Sequence, residues 1–398
     1  MICIQNKSDC YGCSACYSIC PSRCIIMAKD DEGFLYPIVD QNTCINCKRC
    51  EMVCPSLNQF SPTTPLKVYA AKNKDIQIRR ESSSGGIFTL LADHIIEKHN
   101  GVVFGAGIDS NNMIRHLSVE DKDKIHLLRG SKYAQSDMGD SYQEVKAYLN
   151  QGRYVLFTGT PCQVAGLKAF LQRSYKTLLC VDVVCHGSPS CDVLKYYLAG
   201  LEKEFGSRAT GINFRDKKTG WKDYYFSISF ENKKKYLCQK DKSAYMRGFI
   251  GNLYLRPSCY NCKVKNLKSG SDITLGDYWG VSSRFPEFDD DTGVSLVIVN
   301  TAKGYEYFNK LKDSMDIRES EITHAIKTNP YIARSAGLHR NRDLFFKRYR
   351  DESFDTLVDE LLKKGNLEKL YLYIREAFLK ILVFGWSIVK KLRNQMAK

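Results

Sequence analysis

Between Lys67 and Asn300 short apolar runs alternate with longer stretches whose apolar residues recur every three or four positions. The runs "KVYAAK" (67–72), "VVFGAGI" (102–108), "YVLFTG" (154–159), "TLLCVDVVC" (177–185) and "VSLVIVN" (294–300) read as strands. "GGIFTLLADHIIEK" (85–98) places Ile87, Leu90, Leu91 and Ile95 on one helical face. "PCQVAGLKAFLQ" (161–172) and "CDVLKYYLAGLEKEF" (191–205) also read as helices, each just after a strand. "INFRD" (212–216), "YYFSISF" (224–230) and "KKYLCQ" (234–239) suggest further strands. This alternation predicts an α/β (α+β) domain with a mixed sheet. Nearer the start, "IIMA" (25–28) and "LYPIV" (35–39) flank the turn "DDEG" (30–33), a hairpin pattern. At the far end Leu367, Ile374, Ile381 and Ile388 recur every seven residues beside Leu370, Tyr371, Phe378 and Leu392. That stripe predicts a helix, flanked by Lys369, Arg375, Lys380, Lys390, Lys391 and Arg393. Such a helix suits an anionic membrane surface, a partner, or packing on the chain's own body.

Composition narrows the class. The chain has 398 residues, 43% hydrophobic and 26% charged, as in globular proteins with a sizeable core. The N-terminus has no export pattern, and "ILVFGWSIV" (381–389) is too short to span a bilayer. A cytoplasmic chain is expected, peripheral at the inner membrane face if the basic tail meets lipid. In that compartment seventeen cysteines point to metal rather than disulfides. The net charge of +15 is unevenly spread: −1 over residues 1–60, +9 over 61–330 and +7 over 331–398. A basic body favours acidic redox partners, anionic lipid or nucleic acid, or is simply a solvated Lys-rich surface. No basic–aromatic motif asks for nucleic acid, so none is expected as a partner.

The cysteines begin with a repeat. "CYGCSACYSICP" carries Cys10, Cys13, Cys16 and Cys20; "CINCKRCEMVCP" carries Cys44, Cys47, Cys50 and Cys54. Both read C-x2-C-x2-C-x3-C-P, the spacing of two-cluster bacterial ferredoxins. In that spacing the fourth cysteine of each run points to the other cluster. Cys10, Cys13, Cys16 and Cys54 are thus expected around one [4Fe–4S] cluster, and Cys44, Cys47, Cys50 and Cys20 around the second. Zinc is the alternative, but its sites use paired C-x2-C units rather than two identical quartets each closed by Pro. Residues 1–58 resemble a bacterial 2[4Fe–4S] ferredoxin, with Cys3 and Cys24 read as structural. "SLNQFSPTTPL" (56–66) is rich in Ser, Thr and Pro, which sets a linker at 59–66.

Three segments of the body look chemical. Ser82, Ser83, Ser84, Gly85 and Gly86 open a helix, where small residues and free N–H groups can cradle a phosphate. An ordinary serine cap is the alternative. Gly130, Ser131, Lys132 and Tyr133 combine a turn, a hydroxyl, a cation and a ring, a set that suits a nucleotide or an ordinary surface loop. Four scattered cysteines, Cys162 in "GTPCQ", Cys185 in "VVCHGSPS", and Cys259 with Cys262 in "CYNC", stand at element ends. Four thiolates suffice for a further cluster or one zinc. Cys162 begins a helix, where the dipole favours a thiolate. No G-x-G-x-x-G opens a strand–helix unit, which disfavours a Rossmann NAD site.

"SSSGGIFTLLA", "GSKYAQSDMG", "TGTPCQVAGL", "VVCHGSPS" and "RPSCYNCKVKNLKSGSDITLGDYWG" occur in that order. Together they resemble the beta subunit family of coenzyme F420 hydrogenases and dehydrogenases over residues 67–330, leaving 331–398 as a basic helical C-terminal region. The resemblance implies a flavin-binding mixed-sheet domain behind the ferredoxin module. It implies an oxidoreductase that passes electrons between a two-electron carrier, such as the deazaflavin F420, and [4Fe–4S] clusters through FAD. It makes Cys162, Cys185, Cys259 and Cys262 ligands of a third cluster. It places the FAD pyrophosphate at Ser82–Gly86 and the flavin along Gly130–Tyr133, Thr158, Gly159, Thr160 and Trp279. Lys132, His186 and Asp277 become the expected catalytic groups, with a structural role open for His186. "DITLGDYWG" (272–280) would close the pocket, or be a buried strand with a Gly turn. Electrons would go to or from a redox partner protein or a small carrier. The rival reading is a non-catalytic electron-transfer subunit that serves a partner enzyme.

Overall fold

The computed structural model describes residues 1–363. Strands β1 (Ile25–Lys29) and β2 (Leu35–Val39) form an antiparallel hairpin with Ile25 opposite Val39. Asp30 Oδ1 holds the turn by accepting from the N–H groups of Glu32 (3.1 Å) and Phe34 (2.9 Å). Short helices, Ala15–Ile19 and Arg49–Met52, follow the two cysteine loops.

The body is built on an eight-stranded sheet. Its strands are β3 (Lys67–Asn73), β4 (Val102–Ile108), β5 (Ile114–Val119), β6 (Val155–Gly159), β7 (Leu178–Val183), β11 (Ile273–Asp277), β12 (Ser295–Val299) and β13 (Met315–Ser320). They lie in the order β13-β3-β12-β11-β7-β6-β4-β5. The central strands β11, β7, β6 and β4 are mutually parallel, and the flanking pairs are antiparallel. A parallel centre is covered on both faces, so its strands read as unbroken apolar runs. Strands β8 (Ala209–Asp216), β9 (Tyr225–Phe230) and β10 (Lys235–Gln239) make a separate antiparallel sheet. This is the expected mixed α/β architecture. The structure adds β5 and β13, both edge strands. It also ends β7 at Val183, which leaves Cys185 in the loop beyond.

The cysteine-rich module is not a bead on a string. Ile2, Tyr11, Cys13, Ala15 and Ile19 share one core with Phe104, Tyr142, Val164 and Leu167 of the body. Arg256, 1% exposed, donates to the carbonyls of Cys10 (2.7 Å) and Leu35 (2.9 Å) and to Gln135 Oε1 (3.0 Å). Arg342 meets Glu32 with both arms of its guanidinium, at 2.8 and 2.5 Å. The 59–66 segment is itself tied down, with Thr63 N–H on Leu267 O (3.1 Å) and Leu66 N–H on Val299 O (2.8 Å). In the tail, helices Arg342–Arg348 and Phe354–Leu361 bury Phe345, Leu357 and Val358 in the same core as Tyr254. The seven-residue stripe from Leu367 to Leu392 lies outside the described residues. Among those residues no helix is long and apolar enough to cross a membrane.

Candidate functional site

Each cysteine loop curls through two left-handed residues. They are Gly12 (φ 66°) and Ser14 (φ 63°) in the first, Asn46 (φ 52°) and Lys48 (φ 58°) in the second. Such a path turns successive thiols inward. Cys10, Cys13, Cys16 and Cys54 line one hollow. Cys20, Cys44, Cys47 and Cys50 line a second. Each hollow thus takes one thiol from the other run. Backbone N–H groups point at the sulfurs, Gly12 at Cys10 Sγ (3.4 Å) and Ile2 at Cys50 Sγ (3.3 Å). Cys24, expected to be structural, is a fifth thiol of the second hollow, 3.4 Å from Cys20 Sγ. Its spacing carried no signal; the hairpin delivers it. Among the described residues no three His, Cys, Asp or Glu side chains gather tightly enough for a single metal ion.

Cys162, Cys185, Cys259 and Cys262 converge from three loops. Cys162 lies on the first turn of helix Pro161–Leu171 and the last two on the turn Pro257–Asn261 and just beyond it. The other three sulfurs all act on the Cys162 thiol through their charge. Burial comes first, however, and pushes Cys162 up, not down. This corrects the expectation from the helix dipole: desolvation of a fully enclosed thiolate outweighs a partial charge at one helix end. Burial likewise pushes Cys259 up to about 12. A site of this kind holds thiolates only against a compensating positive charge, as a bound metal would supply. Burial raises Cys185 and Cys262 too, and the charge of Lys265, 8% exposed, opposes that rise; its Nζ donates to the Cys185 and Tyr331 carbonyls. Ser188 N–H reaches Cys259 Sγ at 3.3 Å.

A cavity of about 430 Å³ opens at the carboxyl ends of the parallel strands, where ligands of open α/β sheets bind. Ser82, Ser83, Ser84, Gly86, Gly130–Tyr133, Thr158–Thr160, Cys185, His186, Asp277 and Trp279 all line it. Gly85 does not. A Cβ there would stand 2.5 Å from Ala71 O and 2.6 Å from Ser295 N, so this glycine serves strand packing. The serines are partly spent inside the protein. Ser82 Oγ donates to Ile78 O (2.7 Å), Ser84 Oγ to Val294 O (2.9 Å), and Ser83 Oγ accepts from Ser131 N–H (2.7 Å). The helix Ile87–His99 still presents its N-terminus through Gly86 (φ 80°).

The three expected catalytic groups differ. Lys132 Nζ donates to the carbonyls of Leu128 and Arg129, both at 2.9 Å, and burial lowers it to about 7. Asp277 is ion-paired to Arg215 and accepts from Trp221 Nε1 (2.9 Å). His186 packs on Tyr331 (4.2 Å) and donates from Nε2 to Asn252 Oδ1 (2.5 Å), and burial holds it neutral. Trp279 stacks on Trp221 at 4.8 Å. Arg215 went unnoticed in the sequence. It is 5% exposed, lines the cavity, and its Nε and Nη2 have no hydrogen-bond partner among the described residues. Two buried, unpaired guanidinium donors fit an anionic ligand. Arg215 reaches the cavity from the second sheet, so no local motif marks it.

Residues 152–325 match the family described as the C terminus of the beta subunit of coenzyme F420 hydrogenase/dehydrogenase. Residues 9–58 match the 4Fe-4S dicluster domain. Among solved structures, the chain is similar to one from the F420-reducing [NiFe] hydrogenase complex of Methanosarcina barkeri. The identity is 19% and the TM-score 0.46, over 75% of this chain and 93% of that one. No curated protein matches the chain.

Proposed function

We propose that the chain, whose residues 152–325 match the C terminus of the beta subunit of coenzyme F420 hydrogenase/dehydrogenase and whose residues 9–58 match the 4Fe-4S dicluster domain, is an iron–sulfur oxidoreductase subunit that exchanges electrons between a two-electron organic carrier and a redox partner protein through FAD and three [4Fe–4S] centres. One observation carries the reading: the thiols form a continuous line from the cavity to the surface. Cys185 lines the cavity and belongs to the body quartet. Cys162 of that quartet acts on Cys13 of the first hollow. Cys16 of the first hollow feels Cys50 of the second, and Cys47 of the second is exposed.

FAD, when bound, supplies the conversion between paired and single electrons. The chain's residues do the rest. The N-terminus at Gly86 and Ile87, with the free donors of Arg215, would hold its diphosphate. Ser83 and Ser131, bonded to each other, would keep two loops together beneath it. Thr158–Thr160 and Trp279 would flank the ring system, with Tyr133 on the wall. Asp277 orients Arg215 rather than moving a proton. Lys132 fastens the loop that carries Gly130. His186, neutral and with Nδ1 left as acceptor, is the residue able to take a proton from the carrier. The carrier is F420 or another organic two-electron donor or acceptor.

The test is to purify the protein without oxygen and measure iron, acid-labile sulfide and flavin per chain. About twelve irons with one FAD are expected. About eight irons would remove the body quartet as a centre. No flavin, even after FAD is added back, would leave a plain electron-transfer subunit.

A further inference from the structure

We propose that Arg256 is the buried counter-charge of the first ferredoxin centre and raises its reduction potential. The inference deepens the proposed electron path, and it rests on the reading of Cys10, Cys13, Cys16 and Cys54 as the ligands of that centre.

Among the described residues four arginines are at most 5% exposed: Arg79, Arg215, Arg256 and Arg342. Three of them face a carboxylate, Arg79 that of Asp290, Arg215 that of Asp277 and Arg342 that of Glu32. Arg256 is the most buried of the four, and its guanidinium donates to neutral acceptors. Nε gives to Cys10 O (2.7 Å), Nη1 to Gln135 Oε1 (3.0 Å) and Nη2 to Leu35 O (2.9 Å). The ring faces of Tyr36 (4.3 Å) and Phe34 (5.5 Å) add quadrupoles, not a charge. A buried cation without an anion is costly. The loop it rests on is where an anion would form. A Cβ on Gly12, between Cys10 and Cys13, would stand 2.7 Å from Arg256 Nη1. Both cysteines line the first hollow. Four thiolates around an iron–sulfur core carry net negative charge, which supplies the missing partner.

The consequence is directional. A fixed positive charge in a dry interior favours the form of the centre that holds one more electron, so the potential rises. The second hollow should feel this less. It is lined by Ile25 and Val39, which pair at the end of the hairpin away from Lys29 and Leu35. Arg256 itself belongs to the body, where its carbonyl accepts from Cys259 N–H (2.9 Å). The body thus delivers the charge, and the first centre becomes the readier acceptor for electrons from the cavity side. Arg256 is a positioning residue, not a catalytic one.

The experiment compares the full-length, iron-loaded wild type with Arg256→Gln and Arg256→Lys. Electron paramagnetic resonance follows each centre through a redox titration. With iron content unchanged, Arg256→Gln is expected to move the midpoint of the first ferredoxin centre to more negative potential and the second much less. Arg256→Lys loses the planar fork but keeps the charge, and should restore most of the wild-type midpoint. Gln135→Glu sets a carboxylate against Arg256 without removing it and should act like Arg256→Gln; this arm decides the matter if Arg256→Gln loses iron. An unmoved first midpoint in the loaded neutral variant or in Gln135→Glu, or an equal displacement in Arg256→Lys, would overturn the proposal alone. A wild-type ferredoxin module with a single cluster signal would instead overturn the ligand reading on which it rests.

Discussion

Gly166 shows how much one missing Cβ can decide. It sits on the helix that begins with Cys162, and a Cβ there would come within 3.1 Å of Cys13 Sγ and 2.8 Å of the Tyr142 hydroxyl. The helix approaches the first hollow this closely because position 166 is bare. Tyr142 is immobile, since its hydroxyl donates to Gln163 O at 2.7 Å within the same core. Gly166→Ala should therefore push Cys13 aside. We expect a loss of about 1–3 kcal/mol by denaturant titration, the usual range for overpacking. Iron should be lost from the first ferredoxin centre before the second. Equal loss from both would place the strain elsewhere. Arg215 is the counterpart in the cavity. Arg215→Lys keeps the charge but loses the planar fork, and FAD affinity, followed by quenching of flavin fluorescence, should fall about tenfold or more. An unchanged affinity would assign its free donors to another ligand.

At the scale of elements, one chain of hydrogen bonds joins three of them beneath the cavity. Gln163 Nε2 donates to Ser136 Oγ (2.8 Å), Ser136 Oγ to His116 Nδ1 (2.9 Å), and His116 Nε2 to Thr158 O (3.0 Å). The directions follow because a carbonyl can only accept. His116 on β5 is thereby held neutral, and burial lowers it to about 4 from its ordinary 6.5. The unfolded chain then binds one more proton than the folded one between those two values. Stability therefore rises with pH across that window and is lost as pH falls through it, by up to about 3 kcal/mol. His116→Gln should flatten this part of the stability–pH curve measured by denaturant unfolding; an unaltered slope would assign the acid lability to other groups. The same element shows where the sequence was legible. The central strands stood out as apolar runs because both faces are covered. β5 did not, since "IRHLSV" mixes Arg and His into an edge strand. The cysteine groups were legible because each run sets its four cysteines at fixed steps in the chain. Arg215, Lys265 and Arg256 were not, because each works on residues that only the fold brings near.

For the whole molecule, the question is where electrons leave. On the proposed electron path the cavity is at one end of the thiols and the exposed Cys47 at the other, so the proposed partner would meet the second hollow. The surface there has a definite character. Ile45 (66% exposed) and Met52 (61%) offer apolar contact, and Arg23, Lys48 and Arg49 are exposed around them with no ion pair among the described residues. Glu51, the acid within the same loop and helix, is already occupied by the Met1 ammonium at 2.5 Å. Asp40 is the remaining acid nearby, and it holds the Asn42 N–H and the Thr43 hydroxyl. A collar of this sign would favour an acidic one-electron carrier, since steering by opposite charges speeds encounter at low ionic strength. Charge removal should test it, with one restraint from the backbone. Lys48 is left-handed, so Asn is the tolerated replacement there, whereas Arg49 begins a helix and accepts Glu. Lys48→Asn combined with Arg49→Glu should slow reduction by an acidic ferredoxin or flavodoxin about tenfold or more at low salt, and the difference should vanish at high salt. Reduction by dithionite, a small ion that needs no docking surface, should be far less affected, which shows the centres intact. If the double variant keeps the wild-type rate and its salt dependence, the carrier docks elsewhere on the basic body, and the exposed end of the thiol line is not its port.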